Sequence, residues 1–263
     1  MRNKVAMSTI RGLSVIESID IVVKSNCCGI EIQTDYLPED EKEIDQIFKY
    51  ANDKGLIVSI HAPSGDINIS ALNKGIRKES INQIKIAIDL ASKYNTRVVT
   101  FHPGSLSSKR ENQEEKWKVL LESVAEIAEY AKSKKVHIGI ENMERRSKEI
   151  VFTIDDLNRF EEIGVDNEYF GVTLDFSHFA TNEIFLPELD KLKLPIKNVH
   201  MSQCVAGKPH YQMDHLEGQV RLKEALRELE KANYQSMIVM EIKGKLDWTV
   251  FESSQQIISK HLY

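Results

Sequence analysis

Seven side chains able to ligate a cation or move a proton stand at or just beyond the ends of short apolar runs. They are His61, His102, Glu141, Asp175, His200 and Glu241, with His178 three residues past Asp175. Imidazoles and carboxylates without a thiolate suit Zn, Mn, Fe, Co or Mg, and argue against a structural four-cysteine zinc. Carboxylates such as Glu141 and Glu241 can bridge ions or exchange protons, so the set supports either a hydrolytic cluster or a proton-transfer site. Spacing alone does not choose between them. One His or Glu at a strand end is more often a hydrogen-bonded loop residue than a ligand. Six such endings among eight runs are a different matter, because apolar or small residues would serve packing equally well there.

The elements that must position these groups follow from hydrophobic periodicity. Short apolar, β-rich runs at 5–7, 29–33, 57–61, 98–102, 137–141, 171–175, 196–200 and 237–241 read as strands. Between them, segments at 41–54, 78–94, 117–132, 155–162 and 222–232 carry apolar residues three and four apart and read as amphipathic helices. Eight alternating βα units predict a single (β/α)8 TIM barrel spanning residues 1–263 as one domain. A doubly wound open sheet would alternate similarly, but its Gly-rich phosphate turn after the first strand is absent. In a parallel barrel every strand C-terminus lies on one face, so side chains from position 61 to position 241 can meet around one point.

Composition bounds the rest. With 41% hydrophobic and 29% charged residues the chain can bury a full core, which excludes a disordered segment. No apolar run approaches the roughly 20 residues that span a bilayer, and the start lacks the apolar stretch of a signal peptide, so a cytoplasmic protein with no membrane partner is expected. Cys27, Cys28 and Cys204 form neither a disulfide framework nor a CxxC metal pattern and read as reduced structural residues. The formal net charge of −5 gives no overall pull toward nucleic acid.

The motifs His61-Ala62-Pro63, Phe101-His102-Pro103-Gly104-Ser105, Ile140-Glu141-Asn142, Leu174-Asp175-Phe176-Ser177-His178 and Val199-His200, with Glu241 on the last strand, carry a resemblance to the superfamily of xylose-isomerase-like barrels. That superfamily includes sugar phosphate isomerases and epimerases and endonuclease IV, the second family of AP endonucleases. The resemblance covers nearly the whole chain. For the isomerase and epimerase branch it implies one divalent ion held by Glu141, Asp175, His200 and Glu241. The two glutamates would exchange protons with a sugar or sugar phosphate through an enediolate. For the endonuclease IV branch it implies three zinc ions cleaving a phosphodiester at an abasic site. There His61, His102 and Glu141 would hold the first, Glu141, Asp175, His200 and Glu241 the second, and His178 would join the third.

Departures from the family patterns favour the first branch. The endonucleases supply the third ion with a further Asp-x-His, whereas Asp214 and His215 are adjacent here. Bulky wedge residues after His-Ala-Pro are replaced by Ser64-Gly65-Asp66. The epimerase branch also departs, with Ala206 standing where an Arg is common six residues past His200. The expected cofactor is a divalent metal (Zn, Mn, Co or Mg), and substrate contacts are expected from His61, His102, Asn142, Arg145 and His215. The expected partner is a small sugar or sugar phosphate, with nucleic acid the alternative; the oligomeric state is left open. Lys208 and His210 read as solvated loop residues, Trp117 and Trp248 as packing residues opening helices, and His137 and His261 as inert.

Overall fold

The computed structural model describes residues 4–244 and 248–262. Eight parallel strands close into a barrel: β1 (Val5–Ser8), β2 (Gly29–Gln33), β3 (Ile57–His61), β4 (Val99–Phe101), β5 (Ile138–Glu141), β6 (Phe170–Asp175), β7 (Ile196–Met201) and, after a hairpin, β10 (Ile238–Met240). Each pairs with its sequence neighbours, and β10 closes the ring between β7 and β1. This is the (β/α)8 barrel that the alternating pattern predicts.

The outer ring comprises α1 (Val15–Lys24), α2 (Glu41–Asp53), α3 (Lys74–Tyr94), α4 (Gln113–Lys134), α5 (Ile154–Asn158), the six-residue α6 (Phe176–Thr181), α7 (Leu222–Lys231) and α8 (Trp248–His261). Their starts are set by side-chain caps. Asn73 accepts from the backbone of Gly75 and Ile76 to start α3, and Asn112 accepts from Glu114 and Glu115 to start α4. The first turns bury no apolar residue, so periodicity places both starts four residues late, and Trp117 lies one turn inside α4, packed against Phe160. The segment at 155–162 divides into α5 and a 3-10 turn, Arg159–Ile163.

The barrel interior is polar at one level where branched apolar residues are the usual filling. Glu31 faces Ser59 across β2 and β3, and Thr173 faces Asn198 across β6 and β7. All four, with Thr100, are fully buried. Gly139 makes room for this layer, since a Cβ there would stand 2.4 Å from Thr173 Oγ1.

Between β7 and α7 the chain forms an antiparallel hairpin, β8 (Gln203–Val205) and β9 (Lys208–Tyr211), turning through Ala206 (φ 48°) and Gly207 (φ 72°). Two successive positive φ values suit a two-residue hairpin loop. No helix among the described residues is long and apolar enough to cross a membrane.

Candidate functional site

The strand C-termini deliver the predicted groups to one end of the barrel. His61 ends β3, Glu141 ends β5 and Asp175 ends β6. His200 lies one residue before the end of β7, opposite Asp175 in the register. His102 and Glu241 fall one residue past β4 and β10, free of the ladder. Asp175 also caps α6, its Oδ1 accepting from the backbone of His178 at 2.8 Å and from Ser177 Oγ at 2.7 Å, and so places His178.

Three groups of ligand atoms assemble, in each of which all atoms lie within 4.8 Å of one another: Glu141, Asp175, His200 and Glu241; His61, His102 and Glu141; and Glu144, His178 and His210. Glu141 is shared by the first two. Its Oε2 lies 3.0 Å from His102 Nε2 and 3.4 Å from His61 Nε2, and its Oε1 lies 3.0 Å from His200 Nδ1. Glu241 Oε2 is 3.2 Å from the same His200 nitrogen.

Tautomers follow from partners that can only accept. His61 Nδ1 donates to the carbonyl of Ala62 at 2.7 Å, so in the neutral ring the Nε2 facing Glu141 carries no proton. His178 Nδ1 donates to the carbonyl of Asn142 at 2.9 Å and His210 Nδ1 to that of Glu241 at 3.2 Å. With both rings neutral, their Nε2 atoms meet as two lone pairs 3.2 Å apart. Asp175 Oδ2 is buried without a hydrogen-bond partner, 3.7 Å from His178 Nε2. With these rings neutral, imidazole lone pairs and carboxylate oxygens converge into a donor set that a divalent cation satisfies, and the residues fit one.

Without a cation, protons offset the charge. Burial alone would neutralise the Glu141 carboxyl, but the His200 charge and hydrogen bonds from His102, His200 and His61 hold it well below the usual range. Glu241 is likewise held down against burial, by Lys243, His210 and His200. Burial lowers the His200 and His61 imidazoles, yet the surrounding carboxylates win, raising His200 well above its ordinary value and His61 to about 9. His102 and His210 are pulled down by burial.

A cavity of about 430 Å³ opens over this floor, lined by His61, His102, His178 and Glu241 and also by Arg11 and Lys243, whose ammonium lies 3.2 Å from Glu241 Oε1. Glu241 faces the cavity, whereas Glu141 is fully buried behind the imidazoles.

The other predicted contacts lie elsewhere. Asn142 is buried, and both ends of its amide grip the backbone of Asp175, at 2.9 and 2.8 Å. Arg145 points outward toward Glu183, because its backbone N–H is tied to Thr181 Oγ1; its neighbours Glu144 and Arg146, which pair with each other, line the cavity instead. His215 accepts from the backbone of Glu217 and stacks edge-on with Tyr211, while Asp214 accepts from Ser253 Oγ. Neither lines the cavity. His210, read from sequence as solvated, is buried in β9 with φ 71°, a strained value for a non-glycine residue that the hairpin enforces. Glu31, fully buried under His200, has a sequence signal after all: it is a lone charge inside Gly29-Ile30-Glu31-Ile32.

Comparison with known proteins agrees with this architecture. A family model described as a xylose isomerase-like TIM barrel matches residues 19–258. An uncharacterized protein of Methanocaldococcus jannaschii is 26% identical over 259 residues, 95% of this chain and 85% of the relative. The crystal structure of a D-tagatose 3-epimerase-like protein superposes with a TM-score of 0.86 at 25% identity, covering 98% of this chain and 97% of the other. A D-psicose 3-epimerase from Clostridium cellulolyticum H10 superposes with a TM-score of 0.81 at 17% identity, covering 98% of each, a likeness of fold.

Proposed function

This chain belongs to the family of xylose isomerase-like TIM barrels, and we propose that it is a divalent-metal-dependent isomerase or epimerase of a small sugar or sugar phosphate. The observation that carries the proposal is the group of Glu141, Asp175, His200 and Glu241, whose ligand atoms lie within 4.8 Å of one another. Solved neighbours include a D-tagatose 3-epimerase-like protein and a D-psicose 3-epimerase, which supports the same reading. A cavity of about 430 Å³ is sized for a small molecule.

These four residues would hold the ion, which when bound polarises a substrate carbonyl and offsets the charge of the enediolate. Glu241, open to the cavity, takes or returns the proton on the carbon next to that carbonyl. Glu141, enclosed by His61, His102 and His200, is the second carboxylate of the proposed proton-exchanging pair. His61 and His102 present their rings to the cavity and orient substrate hydroxyls. Arg11 and Lys243 supply positive charge in the cavity wall for a phosphate.

A second reading, a zinc phosphodiesterase of the endonuclease IV type, is favoured by one observation: His61 with His102 and His178 with His210 make two further ligand groups that one-ion chemistry does not require. Elemental mass spectrometry of protein purified without chelator separates the two. About one exchangeable divalent ion per chain supports the isomerase or epimerase, and about three zincs support the phosphodiesterase. No ion even after adding metal overturns both.

A further inference from the structure

The buried polar layer beneath the site has a direction, and that direction determines which nitrogen of His200 faces the carboxylates. Thr173 Oγ1 donates to the carbonyl of Gly139 at 3.3 Å, so it is free to accept from Thr100 Oγ1 at 2.9 Å. Thr100 in turn accepts from Asn198 Nδ2 at 3.0 Å. The second hydrogen of that amide goes to Glu31 Oε2 at 2.7 Å, which also accepts from Ser59 Oγ at 3.0 Å. Both amide hydrogens are then used, and Asn198, although 3.3 Å from His200 Nε2, has none left for it. Glu31 Oε1 stands 2.8 Å from that same nitrogen.

A carboxylate oxygen 2.8 Å away repels a lone pair and attracts an N–H, so Nε2 carries the hydrogen and Nδ1 is left as a bare lone pair in the neutral ring. Nδ1 is the atom lying 3.0 Å from Glu141 Oε1 and 3.2 Å from Glu241 Oε2. Reversing the amide of Asn198 would set its oxygen 2.7 Å from the carboxylate of Glu31, so the direction of the chain is unambiguous.

We propose that Glu31 is a positioning residue of the cation site: from inside the barrel it fixes His200 in the Nε2–H tautomer and aims Nδ1 at the ligand group. The inference rests on the cation reading above. Glu31 reaches neither substrate nor ion; it acts through His200, as carboxylates behind metal-bound histidines do in general, where removing them weakens metal binding about 10–100-fold. Its cost is a fully buried carboxylate, whose Oε2 accepts from Ser59 on β3 and Asn198 on β7 while Oε1, without a hydrogen-bond partner, has only the ion-pair contact with His200.

The test titrates Co(II) alone into metal-stripped wild type and Glu31→Gln, following the visible spectrum. The wild type is expected to bind Co(II) with a ligand-field band. Glu31→Gln is expected to bind about 10–100-fold more weakly, with an altered band, while its metal-free melt stays cooperative. Equal affinity and an unchanged band in a folded Glu31→Gln overturn the proposal and leave the cation reading intact; a wild type that takes up no Co(II) overturns that reading and this one together. Should Glu31→Gln fail to fold, nitrogen-15 spectra of histidine-labelled, zinc-loaded wild type decide, with the His200 signals assigned by their loss in His200→Gln. Protonated Nε2 with a zinc-shifted Nδ1 is expected, and the opposite tautomer overturns the proposal.

Discussion

Asp175 has two oxygens with separate tasks, and substitution can separate them. Oδ1 caps α6, while Oδ2 is buried without a hydrogen-bond partner, which makes it the oxygen Asp175 has free to offer the four-residue ligand group. Asn caps a helix as well as Asp does, so Asp175→Asn keeps the cap but turns a hydrogen-bond donor into the ligand group. For an ion held with a Kd of about 1 μM, about 1 mM metal stabilises the fold by roughly 4 kcal/mol. In a chain of this size that raises Tm by ~8–16 °C. Weakening binding about 100-fold leaves roughly 1.4 kcal/mol, or a shift of ~3–6 °C. Asp175→Ala loses the cap as well, lowering the metal-free Tm by a further ~2–4 °C for about 1 kcal/mol. Thermal melts of the three proteins, each with chelator and with Mn(II), read out both effects. An Asp175→Asn protein whose Mn(II)-induced shift equals that of the wild type would refute the assignment of Oδ2 to the ion.

Other perturbations probe separate parts of the structure. Gly104 has φ 80°, and a Cβ there would stand 2.4 Å from Asn68 Oδ1, which accepts from Ser70 N, Ser70 Oγ and Ser105 N beside the cavity. Gly104→Ala should cost roughly 2–4 kcal/mol in left-handed strain and lost hydrogen bonds, and calorimetry showing a Tm within a degree of wild type would contradict this. Burial pushes the Cys27 thiol up to about 12; a raised thiol pKa keeps the group neutral, leaving roughly 10⁻⁴ as thiolate at pH 8. Iodoacetamide at pH 8 should therefore spare Cys27 until the protein unfolds, as peptide mass mapping will show; rapid labelling of the native protein would mean the site opens. Glu241→Gln retains an oxygen ligand but no base, so kcat on an accepted sugar should fall by about 10²–10⁴. Turnover above a tenth of wild type would remove Glu241 from the proton-transfer role.

The barrel was legible because both of its periodicities repeat along the chain, and the strand-end groups were legible because a His or carboxylate interrupts an apolar run just where the ladder stops. What escaped notice did so for physical reasons. The α3 and α4 starts are caps and first turns that bury no apolar residue, and so carry no hydrophobic period. The β8–β9 hairpin turns on Ala206-Gly207, a weaker signal than Asn-Gly, and only that hairpin brings His210 against His178. Arg145 and Arg146 are adjacent, and the backbone bond from Arg145 to Thr181, a tertiary contact, decides which of them lines the cavity. Glu31 sits inside β2 rather than at its end, so its charge does not share the strand-end pattern of the ligand residues.

Proton transfer next to a carbonyl leaves a mark that binding alone does not. The direct measurement incubates the metal-loaded protein with a panel of ketoses, aldoses and their phosphates in D2O and follows the sugars by NMR. The proposed function predicts a new epimer or isomer of at least one sugar carrying deuterium at the reacting carbon, lost with chelator and in Glu241→Gln. Full metal occupancy with no deuterium entering any sugar, and cleavage of an abasic duplex instead, would contradict it.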